Sequence, residues 1–278
     1  MKSNVLVGLT VDNFKGVKGS FLLNLIRRVG VEFAEVTSTI FEDIDQVISN
    51  MDGLKLGFHL PIISESGYDF SCLEKKKKID ALIENINRYW RKMNLQYVLA
   101  HSTEGHFIET PGECSEEFLF ENLKKLEAPI VFENTLENEN FNFDQFLERA
   151  ESAFDDQLLG ICFDPPHAYI SREDWFPMLE KHYSKIRLLH LSDCTREEDL
   201  HQPFGQEGNL PVDEILGFLK DKGYKGMVNL ELQPKSLSDL TSLFDSYLTV
   251  LRYLNRRKYF TMKLRSLIFL PLLKRRLK

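Results

Sequence analysis

The chain has 278 residues, 43% of them hydrophobic and 28% charged, which supplies apolar material for a large core and excludes an intrinsically disordered chain. Its formal charge of −7 hides a division. Nine of the 35 Lys and Arg and none of the 42 Asp and Glu lie in 256–278, so everything before carries 26 bases against 42 acids, a formal −16, which argues against a nucleic-acid-binding body.

In chain order, the opening stretch MKSNVLVGLTVDNF sets one Lys before a short apolar run broken by Gly8 and Asp12, and reads without a secretion signal. Apolar, β-branched runs then recur at 4–11, 31–37, 54–61, 95–102, 129–135, 158–164, 186–192 and 226–232. Between them lie stretches such as CLEKKKKIDALIENINRYWRKM and SEEFLFENLKKLE, whose apolar residues return every three or four positions, as on one face of a helix. Near-continuous apolar strands alternating with amphipathic helices predict an α/β fold with a parallel sheet covered by helices. Eight such units close into a (β/α)8 TIM barrel, expected here as a single domain over 1–254. A doubly wound open sheet is the competing arrangement; polar residues at the C-terminal end of nearly every run favour the barrel, where those ends ring one pocket.

From Asn255 the sequence becomes NRRKYFTMKLRSLIFLPLLKRRLK, a basic, amphipathic C-terminal extension over 255–278. Its apolar run is far shorter than the ~20 residues a membrane span requires. Two roles fit: an interfacial anchor on an anionic membrane, or a helix packed under the barrel or between subunits.

The strand ends carry the chemistry. They bear Glu35, His59, His101, Glu133, Asp164 with His167, His190 with Asp193, and Glu231. One acidic residue at such a place is ordinarily a helix cap, and one His a hydrogen-bonded core residue. A whole set is different, because divalent cations need several oxygen and nitrogen donors converging, and without a cation the carboxylates would repel one another at a desolvation cost. The turn Asp164 to His167 reads DPPH, where two prolines stiffen the chain between a carboxylate and an imidazole. The segment 190–211 adds Arg196, Asp199 and His201 in a glycine-containing loop expected to lie over the pocket.

Four cysteines, Cys72, Cys114, Cys162 and Cys194, stand far apart with no Cys-x-x-Cys pair; this is unlike a disulfide framework and fits a reducing cytoplasm. Cys162 shares the inward face of Asp164 and reads as core, with a soft metal contact as the alternative. His106 and His182 read as surface residues.

The pieces FAEV, GFHLP, LAHS, VFENT, FDPPHAY, LLHLSD, HQPFGQEG and VNLEL, in this order over residues 4 to about 254, resemble the xylose isomerase-like TIM barrels. That family spans sugar and sugar-phosphate isomerases, epimerases and the endonuclease IV group. The resemblance implies a metal site on Glu133, Asp164, His190 and Glu231, holding Zn2+, Mn2+, Mg2+ or Co2+. It implies Glu133 and Glu231 as acid and base in an enediolate reaction on a sugar or related polyol or keto substrate, with His167 steadying a substrate oxygen. His59, His101, Arg196 and His201 are expected near the substrate, Arg196 through its spacing from His190. The endonuclease IV group implies an alternative: His59, His101, His167, Asp199 and His201 stand where further zinc ions would be held, for hydrolysis of abasic DNA. Against it, VGLTVDNFKG departs from that group's opening strand, HST stands where it has HPG, and FAEVT keeps a strand-two Glu more typical of the isomerases. A third reading is a non-catalytic metal-binding barrel. The resemblance also implies a homodimer, while the cytoplasmic setting rests on the cysteines and the peripheral membrane contact on the composition of the extension.

Overall fold

A computed structural model describes residues 5–14, 16–106, 112–233 and 240–276. Eight parallel strands close into one barrel in sequence order: β1 (Leu6–Val11), β2 (Phe33–Val36), β3 (Lys55–His59), β4 (Leu95–Ala100), β5 (Ile130–Glu133), β6 (Leu158–Phe163), β7 (Ile186–Leu191) and β8 (Met227–Leu230). Every predicted run holds one of them. Helices fall between, including Lys76–Tyr89 and Glu116–Leu123 inside the two stretches read as helical. The (β/α)8 expectation is met, and the open sheet is excluded by the pairing of β1 with β8.

Because side chains alternate along a strand, every second residue points into the barrel. Phe33, Tyr97, Leu99, Val131, Cys162 and Leu188 form a buried cluster of their own, separate from the larger core between sheet and helices. Two positions further along the same strands, or four in the case of Tyr97, the inward residues become Glu35, His101, Glu133, Asp164 and His190. The interior is thus apolar at its floor and ionisable at its C-terminal mouth. Gly8 and Gly57 make room for that floor: a Cβ at either would run into the ring of Phe33 or of Tyr97. Cys162 is a fully buried member of the floor, and burial pushes its thiol well up; it also lies within ligand distance of Glu133 and His190.

The extension forms a helix, Arg256–Arg276, directly after the helix Leu240–Leu254. Met262 is fully buried, Arg265 Nη1 donates to the Val29 carbonyl at 3.1 Å, and Lys258 Nζ lies 2.7 Å from Glu32 Oε1. Val29 and Glu32 precede β2, so the first turns pack beneath the barrel, at the end opposite the mouth.

His182 corrects the expectation of a surface residue. It is 4% exposed, and its Nε2 lies 2.6 Å from Asp144 Oδ1. His106 has its side chain outside the described residues. The cysteines, distant in sequence, are not all distant in space: Cys72 and Cys114 lie on neighbouring loops with Sγ atoms 3.4 Å apart.

Candidate metal centre

The site begins with how each strand end is held. Asp164 sits one residue beyond β6 and caps the helix Pro165–Ser171: its Oδ1 accepts from His167 N at 2.8 Å, with prolines at the first two helical positions. Such a position suits proline, whose missing N–H costs nothing in the first turn. Asn134 clamps the same residue from β5, accepting from Asp164 N at 2.7 Å and donating to Asp164 O at 2.8 Å. His167 Nδ1 lies 2.9 Å from the Asn134 carbonyl, which leaves Nε2 for the pocket.

Glu133, Asp164, His190 and Glu231 each present a ligand atom within 4.8 Å of the others. His190 Nδ1 lies 3.0 Å from Glu231 Oε2 and 3.2 Å from Glu133 Oε2, yet it makes no hydrogen bond, and Glu133 Oε1 is a second buried polar atom without one. Buried groups of this kind are costly unless something satisfies them. A buried carboxylate oxygen and a buried imidazole nitrogen left without hydrogen bonds, with further carboxylate oxygens close by, are the kind of donor set a divalent cation takes, so these residues fit the metal that the sequence led us to expect.

The electrostatics agree. Burial works against ionising Glu133 and Glu231, but the His190 charge outweighs it, holding Glu231 down at about 2 and Glu133 well below the usual range. Burial disfavours the charged form of His190 too, and the surrounding Glu133, Glu35 and Glu231 overcome it and hold its pKa well up. For Asp164 burial dominates and pushes the carboxyl up to about 7.

Glu35, one strand-end residue left out of the expected ligand set, proves to be a support. It is fully buried, with both oxygens 3.2 Å from His190 Nε2. It accepts from Tyr97 Oη at 2.5 Å and from Asn229 Nδ2 at 3.2 Å. A carboxylate on the far nitrogen of a ligand imidazole fixes the tautomer and turns Nδ1 to the centre. Alternation along β2 placed Glu35 inward beside the others; only its depth in the barrel separates it from them.

Two further groups adjoin the four-residue centre. His59 and His101 stand edge to face at 5.0 Å, His101 Nε2 lies 3.1 Å from Glu133 Oε2, and the three form a potential ligand group. Asp199 Oδ2 sits between His167 Nε2 at 3.2 Å and His201 Nε2 at 3.1 Å. Burial opposes their charges, but the shared hydrogen bond lowers Asp199 and lifts His201 to about 10. His201 has a left-handed φ of 46°, a strain that non-glycine residues tolerate only where the surroundings impose it; here Gln233 N donates to its carbonyl at 2.9 Å.

Arg196 stands apart. It is exposed, stacks on the Tyr169 ring at 3.7 Å and donates to the carbonyls of Tyr169 and Arg172 at 2.6 and 3.0 Å, so it ties the 190–211 loop to the neighbouring helix. Asp193 organises the same loop, accepting from the backbone N–H groups of Cys194, Gly205 and Leu210.

Comparison with known proteins agrees with this architecture. A family model described as xylose isomerase-like TIM barrel matches residues 43–254. Inosose dehydratase from Bacillus licheniformis is 26% identical over 175 residues, 54% of this chain and 57% of that protein; the chain thus matches little more than half the length of this relative. A D-tagatose 3-epimerase-like protein superposes with a TM-score of 0.63 at 19% identity, covering 88% of this chain and 98% of that one. An AP endonuclease, family 2, from Brucella melitensis gives 0.63 at 15% identity over 84% and 94%. At such identities these two structures establish the fold alone, whereas the family model spans most of the chain. The chain therefore belongs to the xylose isomerase-like TIM barrel family.

Proposed function

We propose that this protein is a divalent-metal-dependent isomerase or epimerase acting on a sugar or related polyol or keto substrate. The observation that carries the reading is the convergence of Glu133, Asp164, His190 and Glu231 at the barrel mouth, with Glu133 Oε1 and His190 Nδ1 buried and without hydrogen bonds. The kinship with an inosose dehydratase and the likeness to an epimerase-like barrel support the substrate class, since dehydration, isomerisation and epimerisation of carbonyl polyols can all begin by removing a proton next to the carbonyl.

Bound to these four residues, a divalent cation supplies Lewis-acid polarisation of neighbouring carbonyl and hydroxyl oxygens. The chain does the rest. Glu231 is the more open of the two glutamates, 20% exposed against 1% for Glu133, and it accepts the carbon-bound proton as base. Glu133, entering from β5 rather than β8, serves the other side of the same carbon. His167, stiffened by Pro165 and Pro166 and steered by Asn134, donates to a substrate oxygen. His59, His101 and His201 line the approach. Four cysteines with no Cys-x-x-Cys pair support a cytoplasmic setting.

A second reading, an endonuclease IV-like zinc phosphodiesterase, is favoured by one specific observation: donors for additional ions stand beside the centre, as His59, His101 and Glu133 and as His167, Asp199 and His201. The formal −16 before the tail opposes a phosphate-tracking surface, so we rank it second. Elemental analysis of wild type and of His101→Ala with Asp199→Ala separates the two. About one ion per chain, untouched by the double substitution, together with turnover on a panel of ketoses and inososes, meets the first reading. Roughly two or three zinc ions that fall on substitution, with cleavage of abasic DNA, would replace it by the second. Metal without turnover of either substrate would leave a non-catalytic metal-binding barrel.

A further inference from the structure

The helix Arg256–Arg276 has two faces, and the barrel uses one. Met262 and Ser266 are buried and Lys258 pairs with Glu32; these positions lie on one side of the helix. On the opposite side Phe260, Leu264 and Leu267 are 60%, 64% and 69% exposed. Their spacing of four and three residues stacks them in one stripe. Together they are three of the seven large apolar side chains found exposed among the described residues. At about 100° per residue, Arg257 falls on one flank of this stripe and Arg256 and Lys263 on the other, and all three are exposed.

An apolar stripe edged by bases narrows the partner. The segment 256–278 holds nine bases and no acid, so a symmetric contact with a second copy would press like charges together. A nucleic acid would satisfy the bases but leave its phosphates against Phe260, Leu264 and Leu267. A lipid surface with anionic headgroups satisfies both, taking the apolar side chains into the boundary layer and the bases into the headgroups. No helix among the described residues is long and apolar enough to cross a membrane, so the contact lies in the plane.

We propose that this outer face docks the protein on an anionic bilayer surface. Because Arg265 and Lys258 fasten the helix to residues just before β2, the docked face is at the floor of the barrel, and the metal centre opens away from the lipid into the aqueous phase.

The test is flotation of the full chain with vesicles of phosphatidylcholine and phosphatidylglycerol in equal parts, against vesicles of pure phosphatidylcholine. Binding is expected to the first only and to weaken at high salt. Arg257→Ala with Lys263→Ala should lower the partition coefficient about 25-fold, roughly fivefold per base. Leu264→Gln with Leu267→Gln should also release the protein; both pairs are exposed, and circular dichroism checks that the fold is kept. Failure of wild type to float, or flotation unchanged in both variants, overturns the proposal. So does a wild-type dimer in sedimentation that Leu264→Gln with Leu267→Gln converts to monomer without any vesicle binding, which would assign the stripe to a second copy.

Discussion

Replacing Glu35 by Gln tests whether the centre is held from below. The carboxylate offers His190 Nε2 two oxygens at 3.2 Å while accepting from Tyr97 and Asn229. A glutamine of the same shape keeps one oxygen and loses the charge. Because each carboxylate oxygen lies 3.2 Å from Nε2 and also meets Tyr97 or Asn229, the amide nitrogen at either position faces Nε2 beside one of these donors. Where Nε2 becomes its acceptor, the proton moves to Nδ1, the atom wanted for the metal; where it does not, donor meets donor. Either outcome weakens the ligand, and loss of such a support lowers metal affinity about 10–100-fold, or about 1.4–2.8 kcal/mol. Competition with a fluorescent chelator for Zn2+ or Mn2+ measures it. Tyr97→Phe is the control: it removes one hydrogen bond to Glu35, should cost stability on the order of 1 kcal/mol in urea, and should leave affinity nearly unchanged. Wild-type affinity in Glu35→Gln, or equal losses in both variants, would refute the account of Glu35 as the residue that sets the tautomer.

Glu231→Gln should lower turnover by about 10²–10⁴-fold and abolish solvent-deuterium exchange at the reacting carbon; retained exchange would remove Glu231 as base. Gly57→Ala should destabilise the barrel by roughly 1–3 kcal/mol, because the new Cβ meets the Tyr97 ring; partial recovery in Gly57→Ala with Tyr97→Leu would show that the ring is the cause. Burial opposes ionisation of Asp144, but hydrogen bonds from Lys181 and His182 lower it below the usual carboxylate range. Its contribution to stability is therefore present above the unfolded pKa and lost as pH falls through the folded one. Asp144→Ala should flatten that acid limb and, by stranding buried His182, cost about 1–3 kcal/mol at neutral pH; an unchanged acid limb in urea titrations would count against it.

Much of the barrel was legible because parallel strands buried on both faces must be apolar throughout, and residues such as Val98, Leu99 and Ala100 have nowhere else to go. The cluster of ionisable strand ends was legible for a related reason: His59, Glu133 and His190 interrupt apolar runs at their C-terminal ends, where only a shared mouth makes ionisable groups useful. Glu35 was visible as a strand-end acid but not as a support, since depth within a barrel depends on strand tilt and stagger, which a sequence does not display. Arg196 was visible through its spacing from His190, but its stacking on the Tyr169 ring and its bonds to the Tyr169 and Arg172 carbonyls follow from no local pattern. The pairing of His182 with Asp144, like that of Cys72 with Cys114, is long-range and follows from no local pattern.

The centre gathers acids and imidazoles in matching numbers, and this sets how it responds to pH. Burial alone would keep His190, His167 and His201 neutral, but Glu133, Asp164, Asp199 and Glu231 hold all three above their ordinary values, His201 at about 10. In protein stripped of metal, protons on these rings balance the carboxylates. Their stabilising contribution is complete below the unfolded value of 6.5 and fades as pH rises through the folded ones. A cation on the four-residue centre needs the His190 Nδ1 without a proton, and its charge disfavours protons on the neighbouring rings, so its apparent affinity rises over the same interval. Thermal melts of chelator-treated and Zn2+-loaded protein across neutral to alkaline pH should therefore diverge, with the treated form losing Tm and the gap between them widening. Calorimetry in buffers of different ionisation enthalpy should show protons released on binding. A gap that stays constant with pH, with no protons released, would mean that the histidines are already neutral and that the carboxylates are balanced in some other way.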